Sequence, residues 1–217
     1  MNEYKSLNEF YRSFCEEVLC ASDTETSGWT TEDFLTNVMV EYLEDAGEVT
    51  DPIICPFRGH GLQMNAYAVS DDYESVDIFV SIYSGYEQPR SVSQTDVDAA
   101  IKRAIQLYHK AINDLYTSFQ KDNDTYEFAI TLHKHKDSIK NVRICALTNG
   151  LVKPLVLKSI TIEGAEISFT VWDIDRLYRC VTDYSGRSAH ALKRVQRTGI
   201  AVQQSSAAVQ PRPLGMG

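Results

Sequence analysis

Glu44, Asp45 and Glu48 crowd the end of one helical stretch, and Asp71, Asp72, Glu74 and Asp77 surround a turn between two strand-like segments. Carboxylates supply hard oxygen ligands, so Glu44, Asp71, Asp72, Glu74 and Asp77 together could hold a divalent cation such as Mg²⁺. They do so only if the fold brings them to one point; an acidic turn facing water is the alternative. His133 and His135 alternate in the run H-K-H-K, which places both on one face of a strand, yet no Cys or carboxylate beside them completes a tetrahedral zinc set. Gly59-His60-Gly61 lacks the Lys-Ser/Thr that follows a phosphate loop and reads as a tight turn. No Ser or Cys stands in a nucleophile elbow. Trp172, Asp173 and Arg176 put an aromatic ring, a carboxylate and a guanidinium within five residues, a candidate recognition surface. Asp173 is also a natural N-cap for the helix that follows, the more ordinary role for it.

Charge narrows the field. Residues 1–100 carry 20 Asp/Glu against 4 Lys/Arg, and residues 101–217 carry 10 against 17, so a net −16 is followed by +7. The acidic half repels phosphate, whereas Lys134, Lys136, Lys140, Arg143, Lys153 and Lys158 of the basic half could bind nucleic acid or an acidic partner. Two oppositely charged faces of one solvated domain explain the same numbers. At 43% hydrophobic residues the chain can build a real core. No apolar run approaches the ~18 residues a membrane span requires, and the start has no signal-peptide character, so a cytoplasmic protein without a membrane partner is expected. Five cysteines, odd in number and without C-x-x-C spacing, read as buried reduced thiols.

The elements that must position these groups centre on Gly59 to Tyr86. Leu62–Val69 alternates Leu62, Met64, Ala66 and Ala68 against Gln63, Asn65 and Tyr67; Val76–Tyr83 alternates Val76, Ile78, Val80 and Ile82 against Asp77, Phe79, Ser81 and Tyr83. Two strands joined at Ser70-Asp71-Asp72 result. Upstream, Leu7, Phe10, Tyr11, Phe14, Val18 and Leu19 mark a helix over about 6–20, and Phe34 to Leu43 a second, capped by Thr30 or Thr31 and ended by Gly47. Ile53–Phe57, carrying Pro56, reads as an edge strand or one with a bulge. Downstream come a long helix from Ser93 to about Lys121 and strands at Phe128–Leu132, Val142–Leu147, Leu155–Ile162 and Ile167–Trp172, the last two a hairpin turning at Glu163-Gly164-Ala165. A short helix over Trp172–Cys180 follows. The expected fold is α/β of the α+β kind: a mixed β-sheet flanked by helices, in one domain over residues 1–185, with a weakly structured tail over 186–217.

The order helix, three strands, helix, strand resembles the PD-(D/E)xK restriction-endonuclease-like core, here with an added C-terminal β-hairpin and short helix. In that fold an Asp on one strand and an acid-x-Lys on the next hold Mg²⁺ at a phosphodiester. Anchoring the strands on Tyr67 and Tyr83 puts Asn65 at the Asp position and Val80-Ser81-Ile82 at acid-x-Lys, so Asn65, Val80 and Ile82 would be vestigial positions without charge. The segments F-L-T-N-V-M-V-E-Y-L-E-D-A-G-E, G-H-G-L-Q-M-N-A-Y-A-V-S-D-D, S-V-D-I-F-V-S-I-Y-S and F-T-V-W-D-I-D-R-L-Y-R, within about residues 5–185, resemble the N-terminal region of the abortive-infection phage-resistance (AIPR) family. The most specific piece is W-D-I-x-R-L: Trp172, Asp173, Ile174, Arg176 and Leu177. Members are usually longer, which implies a fragment, a truncated gene or a free-standing front domain, with a protein partner or downstream domains. The reading these resemblances imply is a non-catalytic, cofactor-free interaction or scaffold module of a bacterial phage-defence protein. A metal-dependent nuclease using Mg²⁺ and a nucleic-acid-binding module are the alternatives.

Overall fold

The computed structural model describes residues 6–24, 28–121 and 123–183. One six-stranded sheet, ordered β1-β2-β3-β4-β6-β5, runs through them. β1 (Ile53–Gly59), β2 (Leu62–Val69) and β3 (Ser75–Ile82) form an antiparallel meander; β4 (Asn141–Thr148) and β6 (Ala165–Trp172) continue parallel to β3; β5 (Ile160–Ile162) pairs back antiparallel on β6. The mixed sheet is as the sequence suggests, as are the helix and three strands that open it, but two helices rather than one precede the next strand. The edge position and irregular register of the Pro56-bearing strand are also as suggested.

Helices cover both faces. α3 (Gln94–Asn113) and α4 (Asp124–His135) bury Val97, Ala104, Leu107, Tyr108, Phe128 and Leu132 against Met64, Ile78, Val80, Ile144, Ala146 and Ile167. α1 (Leu7–Thr24), α2 (Thr31–Asp45) and a helix over 174–183 bury Phe10, Phe14, Leu35, Met39, Ile174 and Leu177 against Ala66, Phe79, Cys145, Leu147 and Trp172. Buried on both sides, β3 and β4 carry the near-continuous apolar runs that parallel strands demand. Ion pairs from Glu74 to Lys140 and from Asp77 to Arg143 join β3 to the start of β4, so part of the charge asymmetry between the halves closes inside the fold. Two-residue turns join β1 to β2 and β5 to β6; His60, Gly61, Glu163 and Gly164 all have positive φ, the conformation that matches strand twist in such hairpins.

Several expectations are corrected. Phe128–Leu132 belongs to α4, not to a strand: Asn123 accepts the Thr125 amide as a cap, and Thr125, Phe128, Ala129 and Leu132 recur at helical spacing on the buried side. His133 and His135 are therefore not alternate residues of a strand face; His133 Nδ1 lies 3.1 Å from the Ile112 carbonyl and His135 stacks on Tyr73. The predicted strand over Leu155–Ile162 pairs only at Ile160–Ile162, the stretch around Pro154 being an irregular arm. The long helix stops at Asn113, followed by a 3₁₀ turn over Leu115–Ser118. Leu19, placed on the buried stripe, is 48% exposed. Cys20 is likewise exposed, while Cys55 and Cys145 are the buried thiols, pushed up by burial to about 11 and about 12; the five cysteines form no disulfide. The tail predicted at 186–217 lies outside the described residues. No helix among them is long and apolar enough to cross a membrane.

β2 departs from its predicted alternation. Register shifts between Ile54 and Phe57, opposite Met64 to Ala66, and pairing with β3 begins only at Ala66. Across this irregularity Met64 faces α3 while Ala66 faces α2. Asn65 compensates for the lost ladder bond: its Oδ1 accepts the Ser81 amide at 2.9 Å.

Candidate functional site

The break in β2 turns Asn65 toward the first turn of α2 and creates a buried polar network there. Its centre is Asp33, 1% exposed. Asp33 Oδ2 accepts the Thr30 amide (2.8 Å), the Thr30 hydroxyl (2.8 Å) and Arg58 Nη1 (3.1 Å); Oδ1 accepts Arg58 Nη2 (3.0 Å) and Asn65 Nδ2 (2.8 Å). Burial raises the carboxyl's pKa, but Arg58 and Thr30 outweigh it and leave it below the ordinary aspartate value. Around this centre Arg58 also pairs with Glu32, Thr36 bonds Ser81 at 2.6 Å, and Gln63 bridges the Ser81 carbonyl to Arg103 of α3. Sequence alone marks only the start of this helix, at Thr30 or Thr31, and assigns Arg58 no role. The spacing Thr30-x-x-Asp33 marks a helix start, but nothing local says that the next strand, β1, supplies the guanidinium.

The positions matched to an endonuclease motif are not brought together. Asn65 looks to α2, whereas Val80 and Ile82 look to the opposite face, Val80 fully buried and Ile82 half-buried against the α3 core. Beside Asn65, β3 presents Ser81; the acid on that face, Asp77, lies toward the other end of the strand and is held by Arg143. Nor do the predicted metal carboxylates gather. Asp71 and Asp77 line one cleft, but Asp77 is held by Arg143 (2.9 and 2.5 Å), Glu74 faces Lys140, Asp72 fastens its own turn through Ser70 and the Glu74 amide, and Glu44 is exposed at the end of α2. Among the described residues no three His, Cys, Asp or Glu are placed to hold a metal ion. Asp33 could not join such a set without giving up its partners, since five donors already exceed the roughly four lone-pair sites of a carboxylate. Of the predicted phosphate contacts, Lys140 and Arg143 are spent on these pairs.

Trp172, Asp173 and Arg176 are brought together, at the carboxyl ends of the parallel strands, where open α/β sheets commonly place ligands. Asn149, buried after β4, bridges to the end of β3 through the Ser84 amide and carbonyl, both at 2.8 Å. Gly150 follows because a Cβ there would run into Val92 and the Arg90 carbonyl. Asp173 Oδ1 caps the last helix through the Arg176 amide, and Oδ2 takes the Val152 amide, each at 2.9 Å, so one carboxylate fixes both the helix and the arm after β4. Trp172 is 3% exposed, with the Arg176 guanidinium 3.8 Å above its ring. Arg176 and Arg179 form a wall shared by two clefts, one of about 340 Å³ running along β6 and one of about 260 Å³ beside Trp172 and Glu48.

Residues 35–179, from α2 into the last helix, match the family model for the abortive infection phage resistance protein N-terminal domain. The chain belongs to this family. No curated protein and no solved structure matches it. Within the AIPR domain the W-D-I-x-R-L element divides cleanly: Trp172, Ile174 and Leu177 are buried in the α1–α2 core, Asp173 is a cap, and Arg176 reaches the surface.

Proposed function

We propose that this AIPR domain is a non-catalytic, endonuclease-like interaction module of a bacterial phage-defence protein, acting in the cytoplasm through contacts with a protein partner or with further domains. The observation that carries the reading is the saturation of Asp33. A nuclease of this fold needs carboxylates with free lone pairs turned toward a metal and a phosphodiester. Here the buried acid is closed by Arg58, Asn65 and Thr30, so an organic cation takes the charge that a metal would neutralise. The face beside it offers Ser81 and Asn65, neutral groups that neither bind a divalent ion strongly nor activate water.

The test is incubation of the purified protein with supercoiled, linear and single-stranded DNA and with RNA, under Mg²⁺ and Mn²⁺. No cleavage above a buffer control is expected. Cleavage that disappears in Asp33→Asn, or in Asp71→Ala or Asp77→Ala, would overturn the reading in favour of a metal-dependent nuclease.

A further inference from the structure

β6 is longer than its partner on the outer side. The hairpin with β5 closes through the two-residue turn Glu163-Gly164, which makes Ile162 and Ala165 a hydrogen-bonded pair, so odd-numbered residues of β6 turn their N–H and C=O groups outward. The even-numbered set faces β4, as the Glu166 amide bonded to the Lys140 carbonyl shows. β5 reaches no further than Ile167. Beyond it, Phe169 and Val171 present their backbone to the cleft of about 340 Å³, whose far wall is the irregular arm of Val152, Lys153, Leu155 and Leu157. Among the described residues, the Val171 carbonyl accepts Arg176 Nη1 at 3.0 Å, while the Phe169 N–H and C=O and the Val171 N–H, past the end of β5, make no bond to the arm or another loop.

An unpaired, partly apolar strand edge is the surface that natural proteins blunt or use. Among the described residues no helix covers this one, and its charges point one way. Lys153, Arg176 and Arg179 line the cleft; the one acid lining it, Asp173, has both oxygens engaged by backbone amides. Arg179 meets Asp175 at 2.8 Å, an exposed pair that an incoming carboxylate can replace at little cost. On the arm, Val156 is 91% exposed, an apolar side chain with no protein cover.

We propose that β6 accepts an added strand: an extended, acidic segment of a partner protein pairs with Phe169 and Val171 and sets its carboxylates against Lys153, Arg176 and Arg179. The idea rests on the reading of this domain as an interaction module and names its partner's chemistry. Strand addition uses the main-chain groups for affinity and alternate side chains for choice, which suits a slot with a backbone ladder on one wall and Leu155 and Leu157 on the other. Single-stranded nucleic acid would use the cations but has no use for the strand's N–H and C=O groups.

The experiment is selection of a displayed library of random peptides of about eight residues on the purified protein, followed by fluorescence anisotropy on synthetic copies of the enriched sequences. Acidic, β-branched sequences are expected. Their affinity should fall at least about tenfold in Phe169→Pro, which removes an outward N–H where proline is tolerated, and the Phe169 and Val171 amides should gain hydrogen-exchange protection on binding. A Lys153→Glu/Arg179→Glu variant, changed only at exposed positions, should shift enrichment to basic peptides. Overturning results are no enrichment, enrichment of neutral or basic peptides by the unaltered protein, binding that leaves both amides unprotected, or displacement of the peptides by oligo-deoxythymidine at matching affinity. Nuclease activity would sink the non-catalytic reading and leave the strand edge standing; loss of acidic-peptide binding without nuclease activity would sink the strand edge alone.

Discussion

Two polar regions of this domain use similar residues to opposite ends. At the first turn of α2, a carboxylate, an amide and a guanidinium meet in the protein's interior and satisfy one another. At the end of β6, a carboxylate and guanidiniums lie near the surface, and the guanidiniums of Arg176 and Arg179 and two strand residues are left facing a cleft. The difference is burial. An unpaired ionised group costs several kcal/mol inside a protein and little outside, so the interior cluster must be closed and the exterior one need not be. Reaction or recognition requires groups that can exchange partners; of these two regions only the β6 cleft has them.

The comparison breaks most visibly at Arg58. Arg58→Met leaves the Asp33 carboxylate buried without its cation, and a loss of about 3 kcal/mol is expected by urea unfolding near pH 7. The loss should shrink on acidification. In the parent, the Asp33 pKa lies below its ordinary value, so its contribution is present above that value and is lost as pH falls through the folded value. In the variant, burial dominates and raises the pKa, so acid protonates and relieves the stranded group. A loss that stays constant between about pH 7 and pH 4 would show that the network's charge is not what holds it.

Asn65→Asp sharpens the same point, because it supplies the carboxylate an endonuclease would have. Beside Asp33 it trades a donor for a like charge, with an expected loss of about 2 kcal/mol that Mg²⁺ does not restore. Recovery of the melting temperature with millimolar Mg²⁺ would mean that the site is a disarmed metal centre after all. Val80→Ala, on the opposite face, should cost a comparable ~2 kcal/mol through lost packing, and that loss should not vary with pH or metal.

What could be read from the sequence follows from how local each signal is. Period-two alternation gave β3 and its faces correctly, because β3 pairs in one register from Ser75 to Ile82. The same rule misplaced Ala66 and Tyr67, since an irregularity in β2 inverts the faces and leaves no mark in residue type. Phe128-Ala129-Ile130-Thr131-Leu132 resembles a strand by composition, yet the cap at Asn123 and the i, i+3, i+4, i+7 recurrence from Thr125 to Leu132 are the stronger signal and specify a helix. Asn65 was singled out and is central, but to a different constellation: Val80 and Ile82 lie across the sheet, and Asp33 and Arg58, its real neighbours, are 32 and 7 residues away. Trp172, Asp173 and Arg176 were found as a group because a helix start keeps sequence neighbours together in space. The open edge of β6 was invisible, since it depends on where β5 stops.

The smallest expected effect lies at the exposed region and tests the other half of the comparison. Arg176 stacks on Trp172 and bonds the Val171 carbonyl, yet the residue is exposed and the packing below it does not depend on its charge. Arg176→Ala should therefore cost only about 0.5–1 kcal/mol, the range of a surface cation–π contact, and thermal unfolding should barely move. Its effect belongs to binding. Loss of the guanidinium releases the Val171 carbonyl, which adds an acceptor to the open edge, and removes one of the cations beside it. The change in affinity for an acidic strand is then the difference of two opposed terms, and raising the salt separates them by screening the charge alone. In low salt Arg176→Ala should weaken such a peptide, and in high salt the weakening should vanish. A variant that instead unfolds as readily as Arg58→Met would mean that Arg176 is part of a closed network like that of Asp33, and that the contrast between the two regions is not one of burial.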